Sequence, residues 1–239
     1  MLRHACHKQR GFECINQFES TAKQRWMKGE MNHDKNDFDS RAKDWDLDPE
    51  KKKRAEIAAG AIMNKVQPSK ECTAFEYGCG TGLVSFFLQP FLKRIVMADS
   101  SRGMLEVVRS KIEKTSVMNM TAIEIDLTKS DPPEEQFDII YTLLAMHHVS
   151  DVPEVLRKFH SMLRTGGHLC IADLDKEDGS FHGEGFSGHH GFDREELESK
   201  AERAGFINVE FQTIDRVVRE HGGKGKREYP LFLMTCSSE

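Results

Sequence analysis

The chain has 239 residues, of which 31% are charged, and its formal net charge at pH 7 is −5. This length fits one large α/β domain that can bury a core without disulfides or metal ions. The charge disfavours nucleic acid as a partner, and no apolar run is long enough to span a membrane.

The six cysteines are scattered, and no two of them show C-x-x-C spacing. Cys79, Cys170 and Cys236 lie in or beside apolar runs, where a reduced thiol behaves as a small hydrophobic group. We therefore expect reduced cysteines and a cytoplasmic protein. The basic run Lys51–Arg54 is interpreted as a solvated helix face, with a nuclear signal as the alternative.

Residues 1–35 are polar and lack periodicity, so we expect a disordered N-terminal extension without the apolar segment of a secretory signal. Residues 36–239 are expected to form the folded domain. Within it, Asp48 followed by Pro49 predicts the start of a helix that runs to about Val66.

From Thr73 onward, short apolar segments alternate with helical ones. This alternation predicts βαβ units around a buried parallel sheet. The predicted strands are Thr73–Tyr77, Arg94–Asp99, Met120–Ile125, Phe137–Leu144 and His168–Asp173, and the helices between them are Gly82–Pro90, Arg102–Ser116 and Val152–Leu163.

The last third of the chain departs from this alternation. Arg164–Gly167 predicts a helix stop and a turn, and Lys176–Phe192 reads as a long loop. Asp193 predicts the start of a helix to about Ala204. The strands Val209–Val218 and Tyr229–Cys236 have no helix between them and should pair antiparallel.

The most informative segment is Glu76–Gly82, with the sequence EYGCGTG after the first predicted strand. Alternating glycines allow a sharp turn and close approach of a ligand to the backbone. In the dinucleotide fingerprint G-x-G-x-x-G the third glycine would stand at Leu83. That departure disfavours a nicotinamide-dependent oxidoreductase and indicates a different nucleoside ligand.

Polar residues follow the other predicted strands at the edge where parallel sheets bind ligands. Asp99 is suited to accept hydrogen bonds from two ribose hydroxyls, or it caps the helix that starts near Arg102. Asp126 is suited to an exocyclic adenine amine, or it caps a turn. His147 and His148 follow the fourth strand.

Five segments carry a family resemblance: Glu76–Gly82, Ala98–Leu105, Ile125–Leu127, Phe137–Val149 and Leu163–Leu174. By their order and spacing the chain resembles class I S-adenosylmethionine-dependent methyltransferases, most closely the small-molecule type that includes ubiquinone- and menaquinone-biosynthesis methyltransferases. The resemblance implies a Rossmann-like, seven-stranded, mostly parallel sheet with an antiparallel last strand and helices on both faces. It also implies S-adenosyl-L-methionine as cofactor, S-adenosyl-L-homocysteine as product and a small-molecule acceptor.

The resemblance further implies a role for each matching residue. The glycines would pack against the methionine and ribose portions of the cofactor, Glu76 would position its ammonium, and Asp99 would hold its ribose hydroxyls. Phe38 and Trp45 lie in a segment that commonly covers the cofactor in this family, with core packing as the alternative. The full set of implied cofactor residues is Glu76, Gly78, Gly80, Gly82, Asp99, Ser100, Met104, Asp126, Leu127, Thr142 and Leu143.

Histidines near the expected site are candidates for the proton acceptor, because an unperturbed imidazole titrates near neutral pH. The candidates are His147, His148, His189 and His190. These histidines could also converge with His182, Asp173 and Asp175 around a metal ion. Neighbouring histidines seldom share one ion, and no pair has zinc-motif spacing, so we expect no metal.

Two other functions remain open from the sequence. A methyltransferase-like module without catalysis would bind the cofactor without turnover, although its cofactor residues are intact here. A protein or RNA methyltransferase is the other alternative. The Asn/Asp-Pro-Pro-Tyr/Phe-type motif of amino-directed nucleic-acid enzymes does not occur after the fourth strand, where Leu143–Met146 stands instead.

Overall fold

The computed structural model describes residues 35–220 and 225–239, with side chains from Phe38 onward. The predicted disordered extension therefore lies outside the described residues, except for its last position. Among the described residues, no helix combines the length and the apolarity needed to cross a membrane.

The described residues form helices and strands that alternate through most of the chain. The helices are α1 (Lys35–Arg41), α2 (Pro49–Val66), α3 (Leu83–Leu88), α4 (Arg102–Thr115), α5 (Val152–Met162) and α6 (Arg194–Arg203), with 3-10 turns at Ala42–Leu47, Gln89–Phe91 and Met146–His148. The strands are β1 (Thr73–Tyr77), β2 (Arg94–Asp99), β3 (Met120–Glu124), β4 (Phe137–Leu143), β5 (Leu163–Leu174), β6 (Phe206–Glu220) and β7 (Lys226–Ser238).

All seven strands belong to one sheet in the order β3-β2-β1-β4-β5-β7-β6. Strands β1 to β5 pair in parallel, whereas β7 pairs antiparallel with both β5 and β6. The strand order reverses between β1 and β4, so a crevice opens beyond their carboxyl ends. This topology confirms the predicted fold and fixes where a ligand site should lie.

Side-chain caps begin four of the helices where the sequence places Asp or Ser. Asp48 accepts from the Glu50 amide at 2.9 Å, and Asp193 accepts from the Glu196 amide at 3.2 Å. Ser101 and Asp151 do the same for α4 and α5. Each cap satisfies an amide that has no partner within the helix and is worth about 1 kcal/mol.

The hydrophobic core lies on both faces of the sheet, as expected for parallel strands. The core on one face includes Phe75 of β1 and Phe159 of α5, and the core on the other includes Ala74 of β1 and Ile62 of α2. Consecutive residues of β1 are therefore buried on opposite faces. Cys79, Cys170 and Cys236 are buried free thiols, as predicted.

The prediction of a turn at Arg164–Gly167 was wrong, because this segment belongs to β5. Leu163 pairs with Phe137 and His168 with Ile139, so β5 advances five residues while β4 advances two. Gly166 takes up the extra length in a left-handed conformation with φ +74°. A β-bulge therefore forms where the glycines suggested that the strand had not yet begun.

Candidate functional site

The loop after β1 forms a cradle that side chains would fill. Gly78, Gly80 and Gly82 all have left-handed φ angles, of +67°, +53° and +78°. A Cβ on Gly78 would lie 2.3 Å from the Cβ of Ala145, whereas a Cβ on Gly80 would meet nothing nearer than Trp45 Nε1 at 3.9 Å. Gly78 is therefore needed for packing, and Gly80 leaves an open surface for a ligand.

Asp99 joins the end of β2 to this cradle. Its Oδ2 accepts from the Gly80 amide at 2.7 Å and its Oδ1 accepts from the Ser101 amide at 2.8 Å. Burial raises the pKa of Asp99 above its usual value, while these amides act in the opposite direction. Ser101 caps α4 in its place, so the helix-cap alternative for Asp99 is wrong.

Glu76 lies beneath the cradle in a buried hydrogen-bond network. Its Oε2 accepts from the Ser85 hydroxyl, which lies 2.6 Å from the Tyr141 hydroxyl. Glu76 is only 2% exposed, and burial raises its pKa to about 8 although the bond from Ser85 acts to lower it. Burial therefore favours the protonated form of this carboxyl.

Asp126 follows β3 and bonds within its own turn. Its Oδ1 accepts from the Thr128 hydroxyl at 2.6 Å, and its Oδ2 lies 2.8 Å from Lys129 Nζ. Burial acts to raise the pKa of Asp126, but the bonds from Lys129 and Thr128 outweigh it, so the pKa falls. The turn-capping role that the sequence left open is therefore present, and neighbouring Leu127 is fully buried.

Thr142 and Leu143 end β4, the neighbour of β1 at the crevice. Thr142 is 1% exposed, and its hydroxyl has no hydrogen-bond partner among the described residues. A buried hydroxyl without a partner costs free energy unless a ligand satisfies it. Leu144 follows with φ +52°, an uncommon conformation for a branched residue that often marks a functional site.

The N-terminal segment, formed by α1 and the 3-10 turn Ala42–Leu47, lies across the cradle and is held there by two carboxylates. Asp39 accepts from the Ser101 hydroxyl at 2.5 Å and from the Gly103 amide at 2.8 Å. Asp46 accepts from the Thr81 hydroxyl at 2.5 Å and from Lys111 Nζ at 2.8 Å. Neither carboxylate was predicted from the sequence, because no local pattern distinguishes them from solvent-exposed acids.

Phe38 and Trp45 face the cradle and the strand ends from this segment. Lys51 Nζ lies 3.5 Å from the centre of the Trp45 ring, and the Phe38 ring packs edge-on against His148 at 5.4 Å. Burial, followed by the nearby charge of Arg41, lowers the pKa of Lys51 to about 8. The interpretation of Lys51–Arg54 as a solvated face thus holds only in part, since Lys51 and Arg54 are half-buried.

The four candidate histidines occupy different environments. His147 Nδ1 lies 2.7 Å from Asp173 Oδ1, and both residues are buried. His189 donates through Nε2 to the Val149 carbonyl at 2.9 Å, because that carbonyl can only accept. His190 is partly exposed, with Nδ1 3.6 Å from Glu177.

A cavity of about 420 Å³ opens beside these histidines. It lies between the N-terminal segment, the end of β2 and the loop that follows β5. Its lining residues are Phe38, Ser100, His148, Val149, Ser150, Phe186, Ser187, Gly188 and His189. The structure thus brings Ser100 and two candidate histidines to one cavity, whereas His190, Asp126 and buried Met104 do not line it.

His182 lies next to His147 and His148, with ring centroids 4.9 and 5.6 Å away. Asp175, which the sequence suggested as a metal ligand, instead forms a bidentate ion pair with Arg194. Asp173 instead pairs with the Nδ1 atom of the His147 ring. Asp173 and His182 were candidates for a metal cluster from the sequence, but their pairing with His147 was not predicted.

Similarity to known proteins agrees with this geometry. A family model described as a methyltransferase domain matches residues 74–167, from β1 into β5. An uncharacterized methyltransferase of Schizosaccharomyces pombe is 30% identical over 164 residues, which cover 62% of this chain and 58% of that protein. In sequence and in sheet topology, the chain is similar to class I S-adenosylmethionine-dependent methyltransferases.

A second relative is the demethylmenaquinone methyltransferase of Bacteroides fragilis. It is 27% identical over 121 residues, which cover 48% of this chain and 49% of the relative. The chain therefore spans about half the length of the curated relatives that it matches.

Solved structures confirm the methyltransferase fold. An S-adenosylmethionine-dependent methyltransferase from Aquifex aeolicus superposes with a TM-score of 0.62 at 18% identity, covering 84% of this chain and 98% of that chain. Phosphoethanolamine N-methyltransferase 2 of Haemonchus contortus, in complex with S-adenosyl-L-methionine, gives 0.61 at 14% identity, covering 75% and 52%. At these identities the likeness shows the fold alone.

The residues present fit the cofactor of this family on three observations. The glycine cradle has room at Gly80, the buried Thr142 hydroxyl lacks a partner among the described residues, and Asp99 faces the cradle. A carboxylate has about four lone-pair sites, so Asp99 retains accepting capacity beyond the two amides that it holds.

Proposed function

We propose that this chain catalyses S-adenosylmethionine-dependent methyl transfer to a small acceptor bound in the cavity beside His148. One relationship carries the proposal: the Asp99 carboxylate meets the Gly80 amide at 2.7 Å, where β2 and the loop after β1 come together. The loop after β1 borders the crevice where strand order reverses, and this pairing beside it suits a nucleoside that donates from its ribose hydroxyls. When bound, S-adenosylmethionine supplies a methyl group on a sulfonium.

We assign the cofactor contacts according to where each side chain lies. The three glycines and Thr142 hold the methionine and ribose portions, with Leu143 packing beside them. Asp99 accepts from the ribose hydroxyls, and Ser100, Met104, Asp126 and Leu127 surround the adenine. Glu76 positions the cofactor's ammonium from beneath the cradle. The positive charge of that ammonium would favour the carboxylate form of Glu76.

We assign activation of the acceptor to His147 and His148. His148 lines the cavity, and His147 is oriented by Asp173 at 2.7 Å. His189 and His190, the other two candidates, are assigned to holding the loop after β5, because they contact the Val149 carbonyl and Glu177. Phe38 and Trp45 exclude water from the site, which favours transfer of the methyl group to the acceptor rather than to solvent.

A small molecule is the acceptor class that the cavity favours. Its volume of about 420 Å³ lies within the range of small-molecule sites, and the N-terminal segment crosses above it. Two curated relatives are named for small-molecule chemistry, a demethylmenaquinone methyltransferase and a ubiquinone biosynthesis O-methyltransferase.

Calorimetry with S-adenosylhomocysteine tests the cofactor site. We expect the wild type to bind and Asp99→Ala to bind about 10- to 100-fold more weakly, the effect of removing charged hydrogen bonds. Asp131→Ala, an exposed carboxylate in the loop between β3 and β4, is the matched control and should bind normally. Absence of binding by the wild type would overturn the proposal.

A methyl-transfer screen tests the reaction. Labelled S-adenosylmethionine is incubated with the protein and with extracts separated into small-molecule, protein and RNA fractions. We expect label in the small-molecule fraction, and less of it with His148→Ala. Label confined to protein or RNA would reject the small-acceptor assignment, and cofactor binding without transfer to any fraction would favour a non-catalytic module.

A further inference from the structure

Three histidine side chains from two separate segments converge beside the cavity. His147 and His148 come from the turn after β4, and His182 comes from the loop between β5 and α6. One ring nitrogen from each can be chosen such that all three lie within 4.8 Å of one another. These three histidines are not among the residues that we assign to the cofactor.

The spacing of the three rings is suited to ligands of one metal ion. The centroids lie 4.2, 4.9 and 5.6 Å apart. Zinc–nitrogen bonds of about 2.0–2.1 Å in a tetrahedral site place imidazole centroids about 5 Å apart. The interplanar angles of 41°, 42° and 70° show that the three rings are not stacked.

Asp173 supplies the support that metal-binding histidines usually have. Its Oδ1 lies 2.7 Å from His147 Nδ1, which leaves Nε2 as the ligand nitrogen of His147. The same carboxylate accepts from the main-chain amides of His147 and Leu174. A buried carboxylate behind a histidine fixes the tautomer and the ring orientation that a metal ion requires.

We propose that His147, His148 and His182 bind one divalent transition-metal ion, with zinc as the ion that three imidazoles favour. Three protein ligands leave a fourth coordination position, as in catalytic zinc sites. His148 lines the cavity, so an ion held by it would lie beside the acceptor. This proposal departs from the sequence-based expectation of no metal, and it does so because the rings of His147 and His148 lie 4.2 Å apart with His182 beside them.

The ion would narrow the acceptor class to molecules with a hydroxyl or thiol, and this role rests on the proposed function. Coordination lowers the pKa of such a group, whose proton then passes to water. The resulting oxygen or sulfur anion attacks the methyl carbon and forms the new bond. The bond from that carbon to the sulfonium breaks, and its electrons remain on sulfur as neutral S-adenosylhomocysteine.

Cobalt titration of the full chain, after removal of metal by a chelator, tests the site without any methyl transfer. We expect one Co²⁺ per chain with the visible absorption of imidazole coordination, displaced by one equivalent of Zn²⁺. Absence of that absorption would overturn the proposal. An intense thiolate-to-cobalt band would also overturn it, because it would locate the ion on cysteines.

Variants separate this site from adventitious binding. Asp173→Asn should weaken Co²⁺ binding about 10- to 100-fold, the usual effect of losing an outer partner. His148→Ala should weaken it further, and His168→Ala, a matched control on β5, should leave it unchanged. Equal affinities for His148→Ala and His168→Ala would reject the site. Circular dichroism verifies folding, and S-adenosylhomocysteine calorimetry reports separately on the proposed function.

Discussion

Asp173 holds His147 at two points: its Oδ1 lies 2.7 Å from the ring Nδ1, and its Oδ2 accepts from the main-chain amide at 3.2 Å. The end of β5 is thereby joined to the turn after β4. Both residues are buried, so water cannot replace these bonds if one partner is removed.

Asp173→Ala should therefore lower the free energy of unfolding by about 3 kcal/mol or more, because a ring nitrogen and two amides lose their acceptor. Urea denaturation measures this change. Asp175→Ala, which removes a part-exposed partner of Arg194, is the control and should cost about 1 kcal/mol or less. Equal losses for the two variants would contradict the network.

Glu76 should make stability depend on pH. Its folded-state pKa of about 8 exceeds the ordinary value of 4.5, so between these values the folded protein binds a proton that the unfolded chain has released. Stability should consequently fall as pH rises from about 4.5 to 8, by on the order of 4 kcal/mol.

Urea denaturation of the wild type and of Glu76→Gln at several pH values isolates this contribution. Glutamine keeps the shape and cannot ionise, so the variant should gain stability relative to the wild type as pH rises. A difference between the two proteins that is independent of pH would show that Glu76 is ionised already at low pH.

Alanine substitutions at two glycines of the cradle should affect stability and ligand binding differently. Gly78→Ala combines a left-handed residue with a Cβ 2.3 Å from that of Ala145, and should cost about 3 kcal/mol or more. Gly80→Ala has room for its Cβ and should cost only about 1–2 kcal/mol. Gly80→Ala should instead lower the affinity for S-adenosylhomocysteine, because the added methyl group occupies the cradle.

Thermal melts and calorimetry on the two glycine variants measure both quantities. Gly80→Ala is expected to fold and to bind the ligand weakly. If it bound as well as the wild type, the cradle would not be the cofactor surface.

Asp46 should control how firmly the N-terminal segment closes over the site. Asp46→Ala loses the bonds to Thr81 and Lys111, which together favour the closed segment by about 1 kcal/mol. Affinity for S-adenosylhomocysteine should fall about 5- to 10-fold. Asp44→Ala, an exposed neighbour, should bind normally in the same calorimetry, and a matching loss there would indicate a general charge effect.

Local sequence patterns predicted those helices and strands whose bounds are set by residues close together in the chain. The bounds of β1, β2 and α2 and the cap at Asp193 follow from apolar runs, Asp-Pro and Asp caps that act over a few residues. The alternation of strands and helices also predicted which strand ends would meet. The sheet confirmed this, because parallel strands place all their carboxyl ends at one edge.

Contacts between distant segments were not predictable in the same way. Asp39 and Ser101 are 62 residues apart, and their bond depends on how α1 docks against α4. His182 reaches His147 because a loop without periodicity folds back over β5, and no local pattern encodes that path. The bulge at Arg164–Gly167 escaped notice because paired glycines indicate a turn unless a neighbouring strand supplies hydrogen bonds.

The position of β7 has a consequence for how the protein is made. β7 is synthesised after β6 but inserts between β5 and β6, and β6 has no other neighbour in the sheet. While the ribosome is still producing β7, β5 presents an unpaired edge and β6 has nothing to pair with. Correct assembly of this half of the domain must therefore wait until β7 has been synthesised, and until then an unpaired strand edge is exposed to pairing with other chains.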